Sequence, residues 1–325
     1  MNYEENALRE KYKDFPCMPL SEYFAGISSG EIQSPRREIF PNKMFISQGD
    51  DLVKYSNVYK RNMAAFWKHY CASIPFLFEE QCRVGLALLR MAQSLSEKKY
   101  LTFYETDSQD GTDARTLAEL ANGKIITLTN GLHDVTKKNF EKLCKHTFSH
   151  FYLGYFCDVT PELINSSPEL YQFKDGCDIV YENATFQFYD KNRVEQIAHI
   201  RKIMKNDGIF ICLEKLSQRD IQEYENRERV KDEKYKSFYF SEEEVKWKQS
   251  KILIDMKFQV DYETLISALK GHFKFVYLLW NSTNFYEIAA SNSRDNIQKF
   301  LSLLVSPHLP VEFNFEGDLS QPRKL

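Results

Sequence analysis

The sequence YLTFYETDSQDGTDARTLAELA, from Tyr100 to Ala121, predicts a strand, a polar loop and a helix in direct succession. Leu101–Tyr104 is an apolar run of strand length, and Glu105 follows it at the start of the loop. In parallel α/β sheets, a loop of this kind and the N-terminus of the next helix hold nucleotide-like ligands. The stretch therefore predicts the first strand–helix unit of a nucleotide-binding sheet.

The loop departs from the glycine-rich pattern that usually accompanies this layout. In an E-x-G-x-G-x-G frame that begins at Glu105, the glycine positions hold Asp107, Gln109 and Gly111, so that only the last one is glycine. A carboxylate at Asp107 would repel phosphates, which disfavours ATP and dinucleotides, but it is compatible with a cationic sulfonium or ammonium group. The alternative interpretation is a polar surface turn that binds no ligand.

The composition indicates a folded protein with no bulk affinity for nucleic acids or membranes. The chain has 325 residues, 43% of them hydrophobic, which is enough for one large core or a core with a subdomain. Its net charge of −3 provides no general attraction for nucleic acids, and no apolar run approaches the roughly 18 residues that span a bilayer. The absence of a signal-peptide core and the seven scattered cysteines, without a C-x-x-C pair, predict a cytoplasmic protein with reduced thiols.

An α/β fold with an N-terminal helical cap at residues 1–95 and a core domain at 96–292 is predicted. In the cap, Val58–Cys71 and Phe78–Gln93 carry apolar residues at helical spacing. In the core domain, strands alternate with helices, which indicates a Rossmann-like, mostly parallel sheet of seven strands with helices on both faces. The last two strands are joined by a short turn and are predicted to be antiparallel. The predicted strands are 101–104, 124–129, 151–156, 178–181, 209–213, 273–280 and 285–290.

Residues 216–260 interrupt this alternation with a highly charged stretch that is predicted to be helical. Two interpretations of these charges remain open: a solvated helix face, or a helical lid over the site. We call these residues the insertion. Residues 293–325 form a C-terminal extension to which the sequence assigns no role.

Polar residues follow three further predicted strands, at the edge where open α/β sheets bind ligands. Thr129 and Asn130 follow the second strand, where a ribose-binding side chain is expected. Asp158 and Val159 follow the third, where an aspartate can accept a hydrogen bond from the exocyclic amine of adenine, although Asp158 could equally cap the next helix. Asn183 follows the fourth strand, and its amide can hold both amino and carboxylate groups.

The sequence predicts no metal site and no covalent catalysis. His146 and His150 have i,i+4 spacing, but no third ligand is visible near them. The chain also contains no serine-centred nucleophile elbow and no phosphate-binding G-K-[ST] loop. The functional prediction therefore rests on the polar residues at the ends of the first four predicted strands.

These features together resemble class I S-adenosylmethionine-dependent methyltransferases. Within that class, the chain is most similar to the carboxy-S-adenosylmethionine synthase family, which acts upstream of wobble-uridine modification in tRNA. The resemblance spans roughly residues 58–291, and residues 240–273 align without a gap. The runs that carry it are SIPFLF, IITLTNG, CDVTP, ENATFQFY, IFICLEKLS, FSEEEVKWKQSKILIDMKFQVDYETLISALKGHF and STNFYEIAA.

The resemblance implies S-adenosylmethionine as the cofactor and a homodimer that forms through the insertion. It also implies that Leu77 or Phe78 closes the site. The arginine with which the synthase family grips an extra carboxylate falls on Gln249, whose neutral amide cannot form that charge pair; Lys248 or Lys251 could compensate. The implied cofactor-binding residues are Glu105, Asp107, Ser108, Gln109, Gly111, Thr129, Asn130, Asp158, Val159 and Asn183.

The predicted reaction is methyl transfer from plain S-adenosylmethionine to a small molecule by in-line displacement, which relies on holding the acceptor close and aligned. If the reaction needs a base, Tyr181, Glu182 and Glu214 are the candidates. Two alternatives remain: a carboxy-S-adenosylmethionine synthase-like enzyme, and a non-catalytic protein whose methyltransferase fold keeps a degenerate cofactor loop. A nicotinamide-dependent oxidoreductase is disfavoured, because Asp107 would face a pyrophosphate.

Overall fold

The computed structural model describes residues 7–12, 18–32, 35–96, 99–253 and 256–325. At its centre is one mixed sheet. Its strands are β1 Leu101–Thr106, β2 Ile125–Gly131, β3 Ser149–Leu153, β4 Cys177–Asn183, β5 Met204–Lys215, β6 Phe275–Ser282, β7 Phe285–Ser291 and β8 Arg323–Lys324. Their order is β3-β2-β1-β4-β5-β7-β6-β8. β1 to β5 run parallel, whereas β7 lies antiparallel between β5 and β6, as predicted for the last pair.

The prediction of seven strands is corrected to eight within the described residues. The additional strand, β8, consists of two exposed residues that pair with Tyr277 and Leu278 of β6. A strand of two residues is too short to carry an alternating pattern, so the sequence gives no signal for it. The parallel part of the sheet, which positions the site, is unaffected.

The central strands are buried on both faces, with β1 and β2 buried at every residue. Because helices cover both faces of a parallel sheet, its strands are nearly continuous apolar runs. The exceptions lie near the carboxyl ends, where the polar side chains of Glu105, Thr129 and Glu182 are fully buried. Buried polar groups need partners within the chain or in a ligand, which marks this edge of the sheet as the place to look for a site.

Within the described residues the chain forms fifteen α-helices, of which none is both long and apolar enough to cross a lipid bilayer. The helices are α1 Ala7–Lys11, α2 Met18–Ser29, α3 Lys43–Ile46, α4 Asp50–Asn62, α5 Ala65–Ser73, α6 Leu77–Gln93, α7 Thr112–Ala121, α8 Asp134–Leu143, α9 Pro161–Ser166, α10 Arg193–Lys202, α11 Ile221–Lys231, α12 Ser237–Tyr239, α13 Glu242–Lys251, α14 Tyr262–His272 and α15 Arg294–Leu303. The helix predicted at Phe78–Gln93 is confirmed as α6.

The helix predicted at Val58–Cys71 is wrong in extent, because α4 ends at Asn62 and α5 begins at Ala65. The Asn62 side chain donates hydrogen bonds to Thr116 Oγ1 at 3.2 Å and to Glu119 Oε2 at 2.9 Å, both on α7. This attachment lets the chain turn after Asn62. As a result α5 lies against the loop that follows β1 rather than continuing α4.

One continuous apolar cluster joins the cap, the sheet and the C-terminal extension, and it includes Leu20, Leu86, Ile288 and Leu319. The division of the chain at residues 95 and 292 stays a prediction. The helices predicted for the insertion are confirmed as α11, α12 and α13, with a π-helical turn at Asp232–Lys236 after α11. Their opening and closing as a lid stays a prediction.

Candidate functional site

The predicted site residues lie where β1, β2, β3 and β4 end at one edge of the sheet. Glu105 pairs in register with Thr129 on one side and with Tyr181 on the other. The Asn183 amide, at the end of β4, donates a hydrogen bond to Glu105 Oε1 at 3.2 Å. Two predicted corners of the site are thus in direct contact.

The loop after β1 keeps the backbone conformation of a glycine-rich loop without most of its glycines. Asp107, Gln109 and Gly111 all have positive φ, at 44°, 59° and 66°. Such left-handed backbone is uncommon for residues other than glycine and is usually retained only where surrounding structure enforces it. At Gly111 an added Cβ would lie 2.6 Å from Thr129 Cγ2, so this position also has no room for a side chain.

Neighbouring groups hold this loop in place. The Trp67 indole on α5 donates to the Ser108 carbonyl at 3.2 Å, and the Ser108 hydroxyl is hydrogen-bonded to that of Thr129. The buried Asp110 carboxylate forms an ion pair with Arg115 on α7. The Thr129 hydroxyl therefore stabilises the loop through its bond to Ser108 and is not free to bind a ribose.

Asp107 and Asn130 fill the corner of the site that the sequence assigns to ribose. The Asn130 amide donates to the Asp107 carboxylate and to the Gly154 carbonyl at 2.8 Å. Its oxygen accepts from the Tyr104 hydroxyl at 2.8 Å and from the Asp107 backbone N–H at 2.9 Å. The Tyr189 hydroxyl donates to the same carboxylate. All the hydrogen-bonding capacity of Asn130 is thus used within the chain.

Helix α1 covers the corner assigned to adenine. Arg9 Nε lies 2.6 Å from Asp158 Oδ1, and the Tyr12 ring packs against Tyr189 with centroids 4.9 Å apart. Val159 is completely buried. Asp158 also accepts from the Tyr155 backbone N–H at 2.8 Å, but the cap of α9 is Thr160, so the helix-cap alternative for Asp158 is wrong.

The open part of the site is a cavity of about 100 Å³ that is partly open to solvent. We call it the main cavity. The loop residues Asp107, Ser108 and Gln109 line one end together with Asn183. Leu77 and Phe78 are fully buried and do not line it; Trp67 and Tyr70 on α5 occupy that wall. The remaining wall is formed by the aromatic side chains of Phe24, Phe66, Phe188 and Phe285 and by four lysines, Lys215, Lys231, Lys236 and Lys248.

The three residues predicted as bases lie outside the main cavity. The Tyr181 hydroxyl donates to Glu287 Oε1 at 2.6 Å, and Glu182 accepts backbone N–H groups, including that of Phe186 at 3.0 Å. Glu214 is held by two nitrogens of the buried Arg193. Their catalytic role stays a prediction without support from their position.

Glu182, Cys212 and Glu214 also place three ligand-type atoms within 4.8 Å of one another. The Arg193 guanidinium already neutralises Glu214, and backbone N–H groups occupy one oxygen of Glu182. A buried cation at this position would be repelled by the guanidinium. The cluster is accounted for without a metal.

Sequence reasoning missed the groups that do face the main cavity. His69 Nε2 lies 2.7 Å from Lys248 Nζ, and Ser73 Oγ lies 3.3 Å from the same nitrogen. Burial and the nearby Lys248 hold the pKa of His69 well below its usual range, so the imidazole is neutral. The only sequence signal was the charged stretch of the insertion, for which a solvated surface was one open interpretation. Gln249 is exposed and bonds to Asp232, and Lys251 is exposed.

The site fits one end of S-adenosylmethionine better than the other. At the methionine end, the left-handed loop and Asn183 face an open cavity. At the nucleoside end, Asn130 is fully paired and Asp158 is bound to Arg9. A nucleoside can enter only if α1 moves and the bonds of Asn130 are exchanged.

No protein-family model and no curated protein matches this chain. Similar solved structures include an O-methyltransferase family protein from Burkholderia thailandensis, at 11% identity and a TM-score of 0.41; the match covers 66% of this chain and 59%, less than two thirds, of that one. The carbon methyltransferase CurJ matches at 13% identity and a TM-score of 0.42, over 88% of this chain and 70% of CurJ. The plantazolicin methyltransferase BpumL, in complex with SAH, matches at 11% identity and a TM-score of 0.46. This match covers 88% of this chain and 99% of BpumL. Because these TM-scores lie below 0.5, we base the proposals below on the chain's own geometry.

The Asp107 carboxyl predicts a specific pH dependence of stability. Burial, opposed by its bonds to Tyr189 and Asn130, raises its pKa from 3.8 to about 7. The folded chain therefore binds one more proton than the unfolded chain between these pH values, so the stability this group contributes is complete below about pH 4 and is lost as the pH rises through about 7. In urea unfolding, the stability of the wild type relative to Asp107→Asn should fall by up to about 1.4 kcal/mol per pH unit in this window. A difference that is flat or rises with pH would contradict this assignment.

Proposed function

We propose that the chain binds S-adenosylmethionine at the loop after β1 and transfers its methyl group to a small molecule in the main cavity. The observation that carries this proposal is the left-handed backbone at positions 107, 109 and 111, which opens onto the cavity beside Asn183. A chain that needed only a surface turn would have no reason to hold Asp107 and Gln109 in a conformation that costs about 1–2 kcal/mol per residue. Close approach of backbone to a ligand is the usual reason for such a conformation.

The cofactor, when bound, supplies a methyl group activated by a sulfonium. In the proposed arrangement the backbone of residues 107–109 and the Asn183 amide hold its methionine part. Glu105 orients Asn183 through their 3.2 Å hydrogen bond. The aromatic wall around Trp67 and Tyr70 excludes water and fixes the acceptor, which is the main source of rate for a transfer of this kind.

For an acceptor that must lose a proton, the proposed base is His69. Its Nδ1 is buried without a hydrogen-bond partner, and its ring lines the main cavity. Its other nitrogen lies 2.7 Å from Lys248 Nζ, which holds the ring in place. Nδ1 can accept a proton from an acceptor hydroxyl or amine in the tautomer whose Nε2–H donates to an uncharged Lys248 amine. Burial and the neighbouring Lys236 and Lys231 favour this uncharged amine, because they hold the pKa of Lys248 well below its usual range.

A non-catalytic role is the second candidate, and the closed nucleoside end favours it. Arg9 of α1 and Tyr12, which follows this helix, cover the adenine corner, and Asp107 occupies the ribose corner. The carboxy-S-adenosylmethionine synthase alternative has less support, because the Gln249 amide is bonded to Asp232 and does not line the main cavity. A homodimer and a cytoplasmic location stay predictions.

The experiment is a calorimetric titration of S-adenosylmethionine into the full chain, with ATP as the control ligand. At about pH 8, where Asp107 is largely ionised, we expect heat of binding for S-adenosylmethionine at millimolar concentration and none for ATP, whose phosphates the carboxylate repels. An Asn183→Ala variant should weaken binding by about tenfold, the loss of one or two hydrogen bonds. No binding by the wild type at millimolar ligand would overturn the proposal in favour of the non-catalytic candidate.

A further inference from the structure

We infer that Lys215, Lys231, Lys236 and Lys248, which we call the lysine cluster, form a binding site for a dianionic group on a small molecule. All four side chains line the main cavity, as the left-handed loop does. The inference deepens the proposed function, because it names the chemical class of the methyl acceptor. Anion binding can nevertheless be measured without the cofactor.

The lysine cluster is assembled from separate parts of the fold. Lys215 ends β5, Lys231 ends α11, Lys236 ends the π-helical turn and Lys248 lies on α13. Their exposures are 4%, 3%, 2% and 8%, respectively. Lysine is almost never buried without a partner, because its ammonium group loses its hydration. Four buried lysines around one cavity therefore need an explanation that a solvated helix face does not supply.

The carboxylates in contact with the cluster neutralise only part of its charge. Glu228 lies 2.7 Å from Lys215 Nζ and 2.5 Å from Lys231 Nζ. Asp232 lies 2.9 Å from Lys236 Nζ. Among the ion pairs of the described residues, these two carboxylates contact Lys215, Lys231 and Lys236, and none contacts Lys248. With all four lysines in the ammonium form, four positive charges against two negative ones would leave an excess of two, which a dianion would balance.

Lys248 is the least compensated member of the cluster. Its side-chain nitrogen contacts the neutral His69 and Ser73 and lies 5.6 Å from the Tyr23 ring centroid. Burial and the neighbouring Lys236 and Lys231 hold its pKa well below the usual range. Burial likewise lowers the pKa of Lys236 to about 8. A bound anion would reverse both shifts, because an opposite charge at contact distance favours the ammonium form.

Two buried polar atoms without hydrogen-bond partners indicate that the cavity is suited to a polar ligand. Gln109 Oε1, on the loop, and His69 Nδ1, beside Lys248, are buried without a hydrogen-bond partner. A buried unpaired polar atom costs about 1–3 kcal/mol unless a ligand or water satisfies it. Phe24, Phe66 and the other aromatic rings of the wall line the same cavity. The cavity therefore matches a molecule with an apolar body and a charged head.

The head group is defined by its two charges. Lysines act as point charges, without the planar fork of arginine that selects a single carboxylate. A phosphate monoester and a pair of carboxylates both meet this requirement. The two sources differ in shape, so the experiment contains one probe of each kind.

The test titrates phenyl phosphate, phthalate and phenol separately into the full chain at neutral pH, in a buffer without phosphate or S-adenosylmethionine. We expect at least one of the two dianions to bind tenfold or more tightly than phenol, and the tighter of the two identifies the head group. Lys248→Met should weaken that binding by about tenfold, whereas the exposed Lys251→Met on the same helix should change it by about twofold or less. If neither dianion binds better than phenol, or if both variants behave alike, the inference is wrong.

A second measurement uses only the wild type, so that it holds even if Lys248→Met fails to fold. At about pH 9 Lys236 is largely uncharged. A bound dianion should raise the pKa of Lys236, so the protein should take up protons when the dianion binds. Titration in two buffers of different ionisation enthalpy measures this uptake. Binding without proton uptake would contradict a site at the lysine cluster. If the anion binds and S-adenosylmethionine does not, only the proposed function is overturned. If S-adenosylmethionine binds and neither dianion does, only this inference is overturned.

Discussion

Replacing Arg193 with methionine is expected to lower the free energy of unfolding by about 3–5 kcal/mol. Arg193 and Glu214 are both completely buried, and the guanidinium holds the carboxylate through two nitrogens, at 2.8 Å and 2.7 Å. Removing one partner leaves an uncompensated charge in the interior, which costs far more than the pair itself contributes. Chemical unfolding of the two proteins measures the difference.

The matched control is Arg201→Met, on the same helix α10. Arg201 is partly exposed and donates a hydrogen bond to the Lys205 carbonyl at 3.3 Å. Its replacement should change stability by about 1 kcal/mol or less. Equal effects of the two substitutions would contradict the structural role of the Arg193–Glu214 pair and would reopen Glu214 as a catalytic candidate.

Replacing Asp107 with glycine is expected to tighten S-adenosylmethionine binding by about tenfold. Glycine adopts the φ of 44° without strain, and its introduction removes the carboxylate that binds the Asn130 amide. The freed amide can then donate to a ribose hydroxyl. Calorimetry on the two proteins under the same conditions measures the change in dissociation constant.

The matched control is Asp107→Asn, because asparagine also tolerates left-handed backbone and keeps the volume of the side chain. We expect its affinity to remain within about threefold of the wild type. Weaker binding by Asp107→Gly would show that the carboxylate itself holds the cofactor, which contradicts the description of Asp107 as an obstruction. A tenfold gain by both variants would point to the charge rather than to the side chain's position.

The sequence predicted the parts of the fold that depend on local pattern. Leu101–Tyr104 falls within β1, and Thr112–Ala121 coincides with α7. The antiparallel pairing of β6 and β7 followed from two apolar runs and the short turn between them. The sequence also predicted that Glu105 and Asn183 lie at the same edge of the sheet, because parallel strands have their carboxyl ends at one edge.

The parts that it did not predict depend on contacts between distant residues. Nothing local indicates that Arg9 pairs with Asp158, since 149 residues separate them along the chain by their numbers. The turning of Asp107 toward Asn130 is likewise a tertiary contact. Lys231, Lys236 and Lys248 occur in a sequence rich in charge, where an inward-facing lysine has the same pattern as a solvated one. Only the packing of the insertion onto the main cavity distinguishes them.

The most direct test of the central claim is hydrogen–deuterium exchange of the full chain with and without millimolar S-adenosylmethionine. The account predicts slower exchange in residues 105–111 and around Asn183, where the cofactor's methionine part is proposed to bind. It also predicts faster exchange in residues 7–12, because α1 must leave the nucleoside end. Unchanged exchange in the loop, or protection confined to another part of the chain, would contradict the proposed site.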